Sequence, residues 1–185
     1  MKIPKQAKCV FKGVIFDTYQ WEQEMFDGSK ATFEMLKRPH GTRIIAIQDD
    51  KIIVCREQQP AGKEVVGTFG GRVDEGETPI EGAKRELLEE SGLTSDDWEI
   101  LSEQEPYPEK MDFTLHTFVA RNCKKIQEPS KDPGEKIKII SVNFEEFIEI
   151  VLDKDSPITK EFALDILKMK EQGNLENFKQ KLFKK

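Results

Sequence analysis

The chain has 185 residues, 37% hydrophobic and 35% charged, which suits one α/β domain of ordinary size with a small extension. Its formal net charge of −6 argues against non-specific nucleic-acid binding, which calls for a basic stripe. No apolar run approaches the ~20 residues of a membrane span, and the first residues hold no apolar stretch of signal-peptide length, so no membrane partner and a cytoplasmic location are expected. Cys9, Cys55 and Cys123 are odd in number and far apart, as reduced, packed thiols would be.

In chain order, residues 10–16 and 21–26 read as strands. Asp27-Gly28 then makes a hairpin turn into a third strand from Ala31 to Lys37. Pro39-His40-Gly41 is the best boundary, separating an N-terminal antiparallel sheet (1–38) from a core (39–152). In the core, Arg43 to Ile47 and Lys51 to Cys55 form a hairpin across Gln48-Asp49-Asp50, and 98–101, 114–120 and 136–142 supply further strands of a mixed sheet. Asn143 caps a helix through about Leu152. Ser156-Pro157 starts another, in segment 153–185, whose apolar stripe runs to a stop near Gly173, and the lysine-rich end from Lys179 reads as a solvated helix terminus. His40 and His116 stand alone and are poor metal candidates.

The most specific segment is 71–93, GRVDEGETPIEGAKRELLEESGL. Thr78-Pro79-Ile80-Glu81 is a capping box with proline at the first helical position, and Gly92 supplies the left-handed stop, so a helix is predicted from Pro79 to Ser91. At ~100° per residue Glu86, Glu89 and Glu90 project from one stripe, while Ile80, Ala83 and Leu87 form a core face about a quarter turn away. Like charges at this spacing cost helix stability unless a cation neutralises them. Hard oxygen donors suit Mg²⁺ or Mn²⁺, which also hold substrate phosphates; zinc is disfavoured because the segment has neither His nor Cys.

Gly71, Glu77, Arg85, Glu86, Glu89, Glu90 and Gly92, with apolar Leu87 and Leu93, match the Nudix box at every specified position. The chain thus resembles the Nudix hydrolases. The resemblance implies an α/β/α sandwich of mixed α+β class with a divalent-metal site for nucleoside diphosphates linked to another moiety. It implies that Glu86, Glu89 and Glu90 bind or position metal, with the backbone carbonyl of Gly70 in the same shell. Glu86 or Glu89 would help deprotonate the attacking water, Arg85 would orient a carboxylate, and Glu77 would be structural.

A weaker resemblance, covering most of the chain, is to the ADP-ribose and nucleoside-diphosphate-sugar pyrophosphatase branch. It rests on the N-terminal sheet and on Asp132 to Lys138, an acidic loop and strand. It implies a homodimer, a nucleotide-sugar substrate, and Glu135 as candidate base, with Glu128 in the same segment as the alternative. The chain departs from that branch at Gln59, where an arginine contacts the diphosphate, and at Thr68-Phe69-Gly70-Gly71 before the box. Arg56 is the candidate replacement for the anionic contact. Trp21 and Phe69 are the candidate base-stacking aromatics, with core packing as the other reading of each. Hydrolysis of nucleoside triphosphates or dinucleoside polyphosphates is the alternative activity, and a nucleotide-sugar-binding module without turnover the alternative class.

Overall fold

Two aspartates in the left-handed region, Asp49 at φ 50° and Asp50 at φ 58°, join two apolar strands by a two-residue turn whose twist matches theirs. That hairpin is the centre of the structure, a computed structural model that describes residues 2–58, 62–130 and 136–184. The elements are β1 (Lys8–Lys12), β2 (Asp17–Glu24), β3 (Lys30–Lys37), β4 (Gly41–Gln48), β5 (Lys51–Gln58), β6 (Val65–Gly67), α1 (Pro79–Ser91), β7 (Leu93–Thr94), β8 (Asp97–Gln104), β9 (Met111–Asp112), β10 (Leu115–Arg121), β11 (Lys124–Lys125), β12 (Lys136–Val142), α2 (Phe144–Leu152), α3 (Lys160–Glu171) and α4 (Leu175–Leu182).

The main sheet runs β12-β5-β4-β10-β8, with β6 added beside β5. β4 and β10 are parallel and the other neighbours antiparallel, so the sheet is mixed. Strand alternation divides the core. Ile45 and Ile47 of β4, with Ile52, Val54 and Val119, pack against Phe147, Val151, Phe162, Ile166, Phe178 and Leu182 of α2, α3 and α4. Ile44, Ala46, Ile53, Cys55, Phe118 and Ala120 face the other way, onto Ala83 and Leu87 of α1. The result is the three-layer α/β/α arrangement. Leu87, fully buried, contributes roughly 2 kcal/mol to the docking of α1.

A second, four-stranded sheet has the order β1-β2-β3-β9. Its last strand comes from the core segment, pairing Met111 and Asp112 in parallel with Leu36 and Lys37. This link between the sheet and the core left no trace in the sequence pattern, because two residues carry no periodicity. Residues 13–16 are a correction to the first predicted strand: the chain turns at Gly13, where a Cβ would collide with the Phe16 carbonyl oxygen, and Val14, Ile15 and Phe16 are exposed.

The C-terminal segment also differs from expectation. α3 begins at Lys160, not at Ser156-Pro157, because Pro157 packs on Gly67 and Thr159 is extended at ψ 145°. The lysine-rich end is only partly solvated: α4 buries Phe178 and Leu182. Arg121, 3% exposed, fastens it by donating to the carbonyls of Leu182 (2.9 Å) and Lys181 (2.6 Å) while pairing with Asp97 and Glu99. A cation at the negative end of a helix, itself matched by two carboxylates, is a stable arrangement for a buried guanidinium. Among the described residues no helix is long and apolar enough to cross a membrane.

Candidate active site

α1 starts and stops where the residues direct. The Thr78 hydroxyl accepts from Glu81 N, the Glu81 carboxylate accepts from Thr78 N at 2.8 Å, and Gly92 closes the helix at φ 71° by donating to the Leu88 carbonyl. The acidic stripe faces the loop that enters the box. This loop is laid along β4 by bonds from Ile44 N to the Phe69 carbonyl and from Thr42 N to the Gly71 carbonyl, both 2.8 Å. Gly70 (φ 146°) lies so close that a Cβ would strike the Thr42 carbonyl oxygen, and a Cβ on Gly71 would strike the Glu86 carboxylate. Replacing Gly70 by alanine is therefore expected to destabilise the fold by ~3 kcal/mol, read from chemical denaturation, since strain and overpacking coincide there.

Arg85 organises the acids. Its Nε and Nη2 grip the two oxygens of Glu77 at 2.8 and 3.0 Å, and Nη2 also donates to the Arg72 carbonyl at 2.9 Å. Nη1 donates to Glu86 Oε1 at 2.9 Å and Glu89 Oε2 at 3.1 Å. Glu86 Oε2 and Glu89 Oε1 take part in neither bond. Glu90 Oε2 accepts from Gly70 N at 3.0 Å, which ties the end of the stripe to the loop.

The carboxyls have different electrostatic settings. The Arg85 guanidinium and the Asp74 N–H hold Glu77 below the usual carboxylate range. Burial pushes Glu86 up in spite of Arg85, with Glu89 and Asp74 adding repulsion. The protein accommodates a poorly solvated carboxylate at Glu86, a group that gains from a cation. Arg85 is raised, with the Glu77 hydrogen bonds the largest cause.

The structure brings Gly70, Arg85, Glu86, Glu89 and Glu90 together and separates the other candidates. Phe69 is a correction: 1% exposed, it sits in the core among Ile44, Leu87 and Phe118 with no free face for a base. Trp21 is 6% exposed, packs against Phe33 and donates to Gln23, so within one chain it lies on the N-terminal sheet and not at the carboxylates. Arg56 follows the Ile52 and Val54 alternation onto the sheet face opposite α1. There it pairs with Glu64 at 3.7 Å beside a hollow of about 540 Å³ lined by Val66, Glu146 and Glu149. Glu128 is bonded to Lys125 at the surface. Gln59 and Glu135 lie outside the described residues.

Sequence reasoning missed Thr42, whose hydroxyl stands 3.5 Å from Gly71 N and whose carbonyl backs Gly70. It also missed Ser130, which donates to the Glu89 carbonyl and anchors the segment leading to residues 131–135 on the end of α1. Only strand pairing and loop return could reveal either. Next to Thr42 in register, His116 is buried with Nδ1 2.9 Å from Glu103 Oε1 and its ring edge-on to His40. Burial holds its pKa below the ordinary 6.5, against the pull of Glu103. The unfolded chain thus takes the proton first on acidification, so stability should fall as pH drops through about 6.5. His116→Asn should flatten that stretch of the stability–pH curve.

The family model described as NUDIX domain matches residues 37–165. The chain belongs to the Nudix hydrolase family. Similar proteins include the ADP-ribose pyrophosphatase of Bacillus subtilis (strain 168), 26% identical over 166 residues that cover 88% of this chain and 90% of that protein. The methanol dehydrogenase activator of Bacillus methanolicus is 28% identical over 152 residues, 80% and 82% of the two chains. An oxidized purine nucleoside triphosphate hydrolase of Mus musculus is 44% identical over 55 residues, only 30% of this chain and 35% of that one. A solved structure of an ADP compounds hydrolase superposes with a TM-score of 0.72 at 23% identity, covering 92% of this chain and 95% of that one, which shows a shared fold.

Whether the Nudix residues suit a divalent ion can be judged from their chemistry. Among the described residues no three acidic, His or Cys side chains already converge as a cage, and one oxygen each of Glu86, Glu89 and Glu90 is bonded to Arg85 or to Gly70 N. The donors nonetheless fit Mg²⁺ or Mn²⁺: all are hard oxygens, they share one helix face, and the half-buried Glu86 shares its Arg85 cation with Glu77 and Glu89.

Proposed function

We propose that the protein is a divalent-metal-dependent pyrophosphatase that splits ADP-ribose or a related nucleoside diphosphate sugar into a nucleoside monophosphate and a sugar phosphate. The observation that carries this reading is the stripe of Glu86, Glu89 and Glu90, held by the Arg85 fork against the Gly70-Gly71 loop. The similarity to an ADP-ribose pyrophosphatase along nearly the whole of both chains supports the substrate class.

Glu86, Glu89, Glu90 and the Gly70 carbonyl would hold Mg²⁺ or Mn²⁺. A bound divalent ion supplies charge neutralisation for two linked phosphates and makes water a better nucleophile near neutral pH. The chain's own part is positioning. Arg85 fixes Glu86 and Glu89 by one oxygen each, leaving the second oxygen of each to the reaction side, and Glu90 locks the loop by its backbone. Water attacks one phosphorus, the bridging P–O bond breaks toward the other phosphate, and the proton leaves to a carboxylate, Glu86, Glu89 or Glu135. Purified protein should release AMP and ribose phosphate from ADP-ribose only when Mg²⁺ or Mn²⁺ is present. Metal-independent turnover would refute the mechanism.

A second reading has a specific basis. The local 44% identity to a triphosphate hydrolase exceeds the identity to the longer relatives, and Gln59 departs from the sugar branch. Nucleoside triphosphates and dinucleoside polyphosphates therefore belong in the same substrate panel, with products identified.

A homodimer through the N-terminal sheet is part of the proposal. β1 is an edge strand, and Val10 (52%) and Phe11 (62%) on it and Val14 just after it are exposed, an apolar edge that a second copy can cover. Sedimentation should show a dimer for the native chain and a monomer for Phe11→Glu. A cytoplasmic location accords with three free cysteines.

A further inference from the structure

We propose that the sheet face opposite α1 holds a halide-sized monoanion, bound between the Arg43 guanidinium and the N-terminus of α3. This site is separate from the acidic stripe and does not depend on the hydrolase reading.

Arg43 is an unusual cation. It stands in the middle of the sheet, on β4, and is 6% exposed. Its Nη2 donates to Thr159 Oγ1 at 3.0 Å and its guanidinium lies 5.2 Å from the centroid of the Phe162 ring, whereas Nη1 is buried with no hydrogen-bond partner. Among the described residues no carboxylate comes within 4.0 Å of it as an ion pair. Arg121 shows what the same protein does with a buried guanidinium that is matched: two carboxylates and two carbonyls surround it.

Arg43 is aimed at a helix end that is itself uncapped. Thr159 occupies the N-cap of α3 but makes no capping bond; its hydroxyl accepts from Arg43 and lies 3.5 Å from Gln104 Oε1. The positive end of a 12-residue helix and a guanidinium thus converge on one place. Two hydroxyls lie on the same face. Thr117 of β10, fully buried, is the parallel register neighbour of Arg43, and Ser102 of β8 is the antiparallel neighbour of Thr117. The Oγ atoms of both are buried without partners among the described residues. Guanidinium, hydroxyl and hydroxyl therefore form a lateral row across three adjacent strands, all able to donate.

The nearby carboxylates do not close the account. Glu161, in the first turn of α3, acts on Arg43 only through its field, and Asp165 accepts from Gln104. Burial pulls the Arg43 pKa down to about 10. A water at this place would satisfy the hydroxyls and leave the charge unmatched; a monoanion does both. The burial of Arg43 and Thr117 limits the occupant to a small ion, since a nucleotide or phosphate ester would have to displace the start of α3.

Thermal unfolding at fixed pH and ionic strength, with chloride exchanged for gluconate, reads the site directly. The native midpoint should rise with chloride until saturation. Arg43→Met, similar in length and uncharged, should lose that dependence, and Thr117→Val should need about tenfold more chloride for half the effect. Crystals grown in bromide should show an anomalous peak between Arg43 and the first turn of α3. An equal chloride response in native and Arg43→Met protein would overturn the proposal, as would bromide crystals with only water at that position. Should Arg43→Met fail to fold, Thr117→Val and the bromide crystal decide alone.

Discussion

Replacing Glu90 by glutamine is expected to lower the rate of AMP release by ~10²–10³-fold while leaving the protein as stable as before or slightly more so. The split follows from its place. Glu90 Oε2 accepts from Gly70 N, and a glutamine carbonyl can accept the same bond, so the loop keeps its anchor. The negative charge disappears, which weakens any cation site made with Glu86 and Glu89 and also relieves like-charge repulsion on the helix. Calorimetry with Mn²⁺ should show the loss of affinity, and a thermal melt without metal should show no loss of stability. Full activity in this variant would remove the acidic stripe from the mechanism.

Arg85→Lys should damage both rate and stability, although it keeps the charge. The guanidinium serves Glu77 with two nitrogens, the Arg72 carbonyl with one of these, and Glu86 and Glu89 with the third. A point ammonium cannot meet these directions at once. The half-buried Glu86 would be left short of a donor, and the box loop would lose its tie at Arg72. Hydrogen bonds to charged groups suggest a loss of about 2 kcal/mol, discounted for the partial exposure of the cluster and measurable by denaturation. Misplacing Glu86 and Glu89 by an ångström is expected to cost ~10²-fold in kcat. A variant with native stability and native rate would show that the fork is incidental.

Much of the box was readable before any fold was known because its geometry is local. The bounds Pro79 and Ser91 follow from a capping box, a first-turn proline and a left-handed glycine, all within one stretch of chain. The angular offset of the glutamate stripe from Ala83 and Leu87 follows from helical periodicity alone, and the strand from Lys136 to Val142 from a continuous run of suitable residues. α3 was placed too early for a reason that is not local: Pro157 is held by Gly67 and Thr159 by Arg43, contacts made across the sheet.

The spacing of Gly71, Glu77, Arg85, Glu86, Glu89, Glu90 and Gly92 carried the resemblance to the Nudix family, and capping and periodicity by themselves determined the acidic stripe and the helix that presents it, since neither needs a tertiary contact. Only the folded chain decided what each group faces. It turned Phe69 into core and sent Arg56 to the far side of the sheet. It also set Gly70 against Thr42 and left Arg43 buried with no ion pair among the described residues. Strand register and the return of distant loops settle such matters, and neither is encoded in the order of neighbouring residues.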